Sequence, residues 1–481
     1  MTINTPMPTE AKTGTSLRDW LRNPRVAGTL IVAYIAVALL ILVNLNRGNV
    51  LFPLWSTLAF PPFILSPFVI LASPLSMRAK MSLILLLILV IMPLLGIYDG
   101  GYLELAIQIA IFAGLALGLN IVVGFAGLLD LGYIAFFAVG AYIWGMFSAP
   151  GVPTVFALGG LIVPSWAFFI FVPIGVLIAA FVGILLGLPV LRLRGDYLAI
   201  VTLGFGEMIR VLVRNLDQPV NFTNGSQGLS GVSRPPLPGF TVDFTASIGR
   251  ALGIPLPNTE PVAQQLLFYF IAIVILGIII LVARRLDDSP IGRAWTAIRE
   301  DEVAAIAMGV PLVRMKLLAF ASGAAFAGAI GVLYAAKQTF VSPESFSLIQ
   351  SISILAMVIV GGLGGIKGVI LGAVIVTLLN LQILTNLSLQ INALRNMNYV
   401  VPIINYPVRN WPTQLEPAKY QRLVFGILLI IMMIFRPAGL LPEPRRKMEM
   451  RSRTGIVPEE VARLEEPVVA SETDPRHANE G

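Results

Sequence analysis

The sequence predicts an all-α fold, a polytopic membrane helical bundle of about 10–12 spans, and three observations carry that prediction. Apolar residues make up 57% of the 481 and charged residues only 12%, against roughly 45–50% and 25% in soluble domains. Apolar runs recur that reach or approach the roughly 20 residues a helix needs to cross about 30 Å of hydrocarbon. The arginines and lysines sit in short clusters beside those runs, as they do in cytoplasmic loops. That placement accounts for the formal charge of +7, since a basic nucleic-acid face would need a soluble domain to display it. Cysteine is absent, which excludes disulfides, thiolate metal sites and cysteine nucleophiles. His477, the sole histidine, lies in a polar tail.

In chain order, residues 1–27 form a polar cytoplasmic segment containing Arg18, Arg22 and Arg25. No small-residue cleavage site follows them, so the run 28–45 is a first span and not a removed signal peptide. Spans at 51–73 and 81–97 complete an N-terminal helical unit over 28–97, and a core unit follows over 98–443. The core begins with spans 103–123, 129–148 and 166–190, and the pairs Arg78 with Lys80 and Arg192 with Arg194 mark cytoplasmic turns.

Segment 197–213 is interrupted by Glu207 and Arg210. At i,i+3 spacing they can pair on one helix face, or serve a pathway, as ionisable groups within membranes often do. Residues 214–262, rich in Pro, Gly, Asn and Ser, read as an external loop without strong secondary structure. Spans 264–283, 315–336 and 351–384 follow, the last broken at its glycines into two helices, then a mixed loop over 385–420 and a final span over 421–435. Arg436, Arg445, Arg446 and Lys447 place the disordered tail, 444–481, in the cytoplasm. Counting 197–213 gives about twelve spans, an even number that leaves both termini inside.

The charged island 284–316 spells two helices in capping signals. Ser289 and Pro290 suit an N-cap and first helical position, because proline lacks a donor that the first turn leaves unused. Asp301 starts a second helix, with Glu302 favouring the same dipole end. Gly309 suits the left-handed C′ position, and Pro311 prevents continuation. Loops that merely connect run to about 4–6 residues, so a structured island of this length reads as a docking surface.

Glycine supplies the other signal. Residues 124–130 read Gly-Phe-Ala-Gly-Leu-Leu-Asp and residues 361–367 read Gly-Gly-Leu-Gly-Gly-Ile-Lys, the same G-x-x-G-x-x-charge pattern twice, which points to an internal duplication. Such glycines serve close helix packing, or breaks where unwound backbone lines a cavity. The second use makes Gly124, Gly127, Asp130, Gly361, Gly364 and Lys367 candidate translocation residues. No phosphate-cradling G-x-x-x-x-G-K-[ST] occurs, and no paired carboxylates or nucleophile elbow, so the chain offers no catalytic residues and no metal ligands.

From about residue 100 to residue 443 the chain resembles the LivM-type permeases of bacterial ABC importers for branched-chain amino acids. The resemblance rests on GLNIVVGFAGLLDLGYIAFFAVGAY at 118–142, RGDYLAIVTLGFGEMIR at 194–210, TNGSQGLSGV at 223–232, SPIGRAWTAIREDEVAAIAMGV at 289–310, VGGLGGIKGVILGA at 360–373 and FRPAGLLP at 435–442. It implies that the island docks on ATPase subunits like the E-A-A loop of such importers, through Arg293, Arg299, Glu300, Asp301, Glu302, Ala304, Ala305 and Gly309. Val303 stands inserted in the Glu-Ala-Ala run. It further implies a LivH-type second permease, two cytoplasmic ATPases of the LivG and LivF type, and a periplasmic amino-acid-binding protein. ATP and Mg then belong to the partner subunits, with no cofactor bound by this chain, in the bacterial inner membrane. Two rivals stay open: a permease of a related urea or short-chain amide importer, and an ion-coupled secondary transporter using Asp130 or Glu207.

Overall fold

The structure, a computed structural model, describes residues 24–44, 52–150, 163–190, 195–218, 221–251, 258–396 and 416–441, with a few isolated residues between them. The segment expected over 1–27 falls almost wholly outside the described residues, as do Arg192, Arg194 and the tail expected over 444–481.

Seven described helices are long and apolar enough to cross a membrane, and four shorter apolar helices join them. The N-terminal unit comprises α1 (Pro24–Asn44), α2 (Phe52–Ala72) and α3 (Met77–Tyr98). Prolines 61, 62 and 67 stand inside α2 and remove backbone donors. Two hydroxyls bond to carbonyls there: Ser66 Oγ donates to Phe63 O at 2.6 Å and Tyr34 OH on α1 donates to Pro62 O at 2.5 Å. At the predicted turn, Ser76 caps α3 and Lys80 Nζ donates to Leu71 O at 2.9 Å in the last turn of α2, where a cation suits the helix dipole.

The N-terminal unit packs on the core. Phe60 of α2, fully buried, stacks on Tyr102 of α4 (Gly100–Phe125) with ring centroids 4.6 Å apart. Lipid already solvates apolar side chains, so this contact holds by packing alone. Phe60→Ala is accordingly expected to lower the melting temperature of the detergent-purified protein by several degrees while uptake at growth temperature persists.

The core continues with α5 (Ile134–Ser148), α6 (Phe168–Val190), α7 (Asp196–Asn215), α8 (Gly239–Ala251) and α9 (Thr259–Asp287). The island helices α10 (Pro290–Glu300) and α11 (Glu302–Ala307) follow, then α12 (Leu312–Gln338), α13 (Leu348–Gly361), α14 (Ile366–Asn396) and α15 (Gln421–Phe435). Helix α12 is the hub, because its small residues admit neighbouring backbones. A Cβ on Gly328 would lie 2.4 Å from Gly175 O of α6, and one on Gly331 would lie 2.4 Å from Phe137 O of α5. Around this hub, large side chains such as Phe169, Leu177 and Phe181 of α6 point outward.

Three expectations change. The external loop 214–262 is partly ordered: it contains α8, and Leu229–Ser230 pairs antiparallel with Phe340–Val341. Its glycines close a tight turn, with Gly225, Gly228 and Gly231 all at positive φ, and Trp144 Nε1 donates to Ser233 O at 3.0 Å. The helix predicted to stop near residue 384 runs on to Asn396 through a π-helical turn at Leu378–Ile383. The span expected over 129–148 begins as a helix only at Ile134, because Gly127 at φ +71° breaks the chain before it. Segment 197–213, by contrast, is helical throughout, and its Glu207 and Arg210 form the expected pair at 2.8 Å, extended by Arg210 to Glu344 at 3.3 Å.

Candidate functional site

The island folds as its capping residues dictate. Ser289 Oγ accepts from Ile291 N and Gly292 N at the start of α10, with Pro290 in the first turn. Asp301 Oδ1 accepts from Val303 N at 2.7 Å and Ala304 N at 3.1 Å, which turns the chain into α11. Gly309, at φ +85°, reverses it out, and Val310 N donates to Ala305 O at 3.0 Å. The helix from Glu302 to Ala307 is somewhat shorter than the two turns expected.

Two side chains that sequence reasoning passed over seat this island on the membrane helices. Trp295, fully buried, donates from Nε1 to Met315 O at 2.8 Å and so fixes α10 to the start of α12. Lys316, with a side chain only 4% exposed, meets Glu302 Oε1 at 2.5 Å. Each left a signal in the sequence: a tryptophan inside a polar segment, and a lysine just inside an apolar run.

Of the residues implied for docking, Ala305 is buried, Glu302 is half-buried, and Asp301, Ala304 and Gly309 are exposed. Arg293 is exposed and donates to Asp288 O at 3.4 Å. Val303, Ile306 and Met308 stand 65%, 50% and 85% exposed, an apolar knob on the surface of the island. Arg299 points the other way: its Nη1 donates to Gly124 O at 2.8 Å, and Glu300 lies 3.8 Å from its Nη2.

That arginine joins the island to the glycine breaks. Helix α4 ends in a π-helical turn, Ile121–Phe125, and Gly127 then passes so close to Arg299 that a Cβ there would lie 2.6 Å from Arg299 Cγ. The second break meets the first at Asn120, whose Oδ1 accepts from Gly364 N at 2.9 Å. A Cβ on Gly124 would lie 2.7 Å from the same Gly364 N. Gly361 is equally tight against Gly368 O, and the 435–442 motif folds back to donate from Leu440 N to Val360 O and from Leu441 N to Gly361 O. Asn120, 1% exposed, was legible only as one of two amides, with Gln108, in an apolar run.

The two charged residues after the breaks diverge. Asp130 is buried, with Oδ1 accepting from Gly132 N at 2.8 Å and Oδ2 lacking a partner among the described residues. Lys367 is exposed, and no ion pair joins it to Asp130. The glycines are therefore close-packed backbone beside the island: Gly124 against Gly364, Gly127 against Arg299 and Gly361 against Gly368.

A bundle of apolar helices with a capped island at one end sets the context for comparison with known proteins. The profile of the family described as branched-chain amino acid transport system, permease component, matches residues 101–433. The chain belongs to this permease family. It is 38% identical over 357 residues to the high-affinity branched-chain amino acid transport system permease protein LivM of Salmonella typhimurium, covering 73% of this chain and 72% of the relative. It is 37% identical over 384 residues to the LivM protein of Escherichia coli, covering 78% of each. No solved structure matches. This permease is thus a multi-pass membrane transport subunit of the ABC importer type, a type that works with ATPase subunits and a second permease. That membership removes the ion-coupled rival. The family match begins at residue 101, so α1, α2 and α3 precede it.

Proposed function

We propose that this permease supplies half of the translocation pathway for branched-chain amino acids across the bacterial inner membrane, paired with a LivH-type permease and driven by LivG- and LivF-type ATPases. A periplasmic amino-acid-binding protein delivers the substrate, and ATP with Mg is bound and hydrolysed on the ATPase subunits. The observation that carries the reading is the pairing of an apolar knob, Val303, Ile306 and Met308, with a rigid seat beneath it. Exposed apolar side chains on a cytoplasmic face favour a protein contact.

Coupling requires an element on which the ATPases make different contacts in two states. Helix α11 is short and capped at both ends, so a displacement moves it as a unit. Displacement passes along two routes: through Glu302 and Lys316 to α12, and through Arg299 to the carbonyl of Gly124 at the end of α4. Both helices lie at the centre of the bundle, so the island levers the helices against which the others pack. The break residues Gly124, Gly127, Asp130, Gly361, Gly364 and Lys367 then act at the inner end of the passage, as the joint that opens and closes it.

The cargo is tested by uptake in a strain lacking the native transporter and carrying this permease with its partner subunits. Labelled leucine is expected to accumulate, with cold isoleucine and valine competing and urea inert. Accumulation of urea or a short amide without leucine uptake would replace the cargo and leave the family intact.

A further inference from the structure

At the end of the bundle opposite the island, helices α4, α9 and α12 and the segment at Arg234 line a half-open cavity of about 330 Å³. Its position follows from the topology, since α9 begins there and runs to the island, and α12 runs from the island back to it. The cavity is therefore external. Ile107 and Phe268 give it an apolar wall, Gln264 an amide, and Arg234, Glu104 and Lys337 its charges.

Those charges are arranged unequally. Lys337, with a side chain 8% exposed, is paired to Glu104 Oε1, which also accepts from Gln108 Nε2 at 3.2 Å. Glu104 Oε2 is left as an open acceptor, and among the described residues the Arg234 guanidinium has neither a hydrogen bond nor an ion pair. Two cations against one carboxylate leave a single positive excess. The cavity thus offers one open fork of donors, one open carboxylate oxygen and an apolar wall.

This is the complement of a zwitterion with an apolar side chain. A carboxylate suits the planar guanidinium fork, an ammonium suits the free oxygen of Glu104, and a short branched side chain suits Phe268 and Ile107. We infer that this cavity is an external binding site for the free amino acid, a way-station between delivery and passage. The inference rests on the reading of this chain as an amino acid permease. A site that holds substrate weakly near the mouth raises its local concentration without trapping it.

The test uses the full permease complex in nanodiscs, without the periplasmic binding protein, and labelled L-leucine as the probe. Saturable binding is expected. It should weaken at least tenfold for leucinamide and for 4-methylpentanoate, which lack the carboxylate and the ammonium in turn. Arg234 lies at the exposed rim, so Arg234→Gln should fold normally, weaken leucine binding at least tenfold, and be partly rescued by Arg234→Lys. Uptake by the same variants should show a raised KM with little change in maximal rate. Leucine binding unchanged by Arg234→Gln would overturn the site, as would equal binding of leucine and leucinamide. A fall in uptake with free-leucine binding intact would assign Arg234 to docking of an acidic partner surface instead, and would likewise overturn it. Absence of leucine uptake by the unaltered complex would indict the cargo reading, whereas uptake with binding indifferent to Arg234 would indict the cavity alone.

Discussion

Glu302→Lys is expected to reduce uptake by at least tenfold and to release the ATPase subunits on purification, while the permease still reaches the membrane in normal amount. The physical reason is local. Lys316 Nζ lies 2.5 Å from Glu302 Oε1 with its side chain only 4% exposed. Removing one member of a buried pair costs about 3–5 kcal/mol, because the remaining charge is stranded. Substituting lysine adds repulsion between two ammonium groups. Helix α11 has only six residues, far below the length at which a helix holds by itself. The site therefore relieves itself by releasing α11 and leaves the bundle intact.

The charge-swapped double variant, Glu302→Lys with Lys316→Glu, is expected to recover part of the activity, which a general folding defect would not permit. Gly309→Val adds an independent disturbance at the other end of the helix. Nothing crowds that position, so its cost is backbone strain at φ +85°, about 1–2 kcal/mol for a residue with a Cβ. Retention of ATPase association and uptake in the Glu302→Lys, Gly309→Val variant would remove α11 from the coupling route.

The membrane class, the helical segments and the three island caps were legible because each is a local property. Length and hydropathy mark a span, and Ser289, Asp301 and Gly309 mark helix ends within a few residues of chain. The seat beneath the island was not legible in this way. Glu302 with Lys316 is separated by 14 residues, Arg299 with Gly124 by 175 and Asn120 with Gly364 by 244. No periodicity encodes such pairings. The glycine pattern was visible as a repeat, but its meaning depended on what approaches each glycine. The ordered part of 214–262 was hidden for a related reason, since its turn glycines and prolines resemble those of an unstructured loop until Phe340–Val341 pairs with Leu229–Ser230.

The glycine junction gives the second large effect. Gly124→Val is expected to abolish assembled permease, judged by fluorescence-detected size exclusion, because the new Cβ would lie 2.1 Å from Asn120 Oδ1 and 2.7 Å from Gly364 N. The first contact can be relieved only by moving the Asn120 amide, which breaks its bond from Gly364 N. That leaves a buried backbone donor unpaired, at about 1–3 kcal/mol, in addition to about 1–3 kcal/mol of overpacking. Asn120→Leu separates the two costs, since it removes the acceptor without adding bulk at Gly124, and should give protein that assembles but melts earlier. Gly426→Val on α15, where nothing lies within 4 Å, controls for valine in a membrane helix and should leave assembly unchanged. The outcome also bears on mechanism. If the junction is the joint between island and pathway, Asn120→Leu protein should retain ATPase association while uptake falls, because the lever remains attached and its far end is loose. Uptake falling only in proportion to the amount of assembled protein would make the junction a packing contact and nothing more.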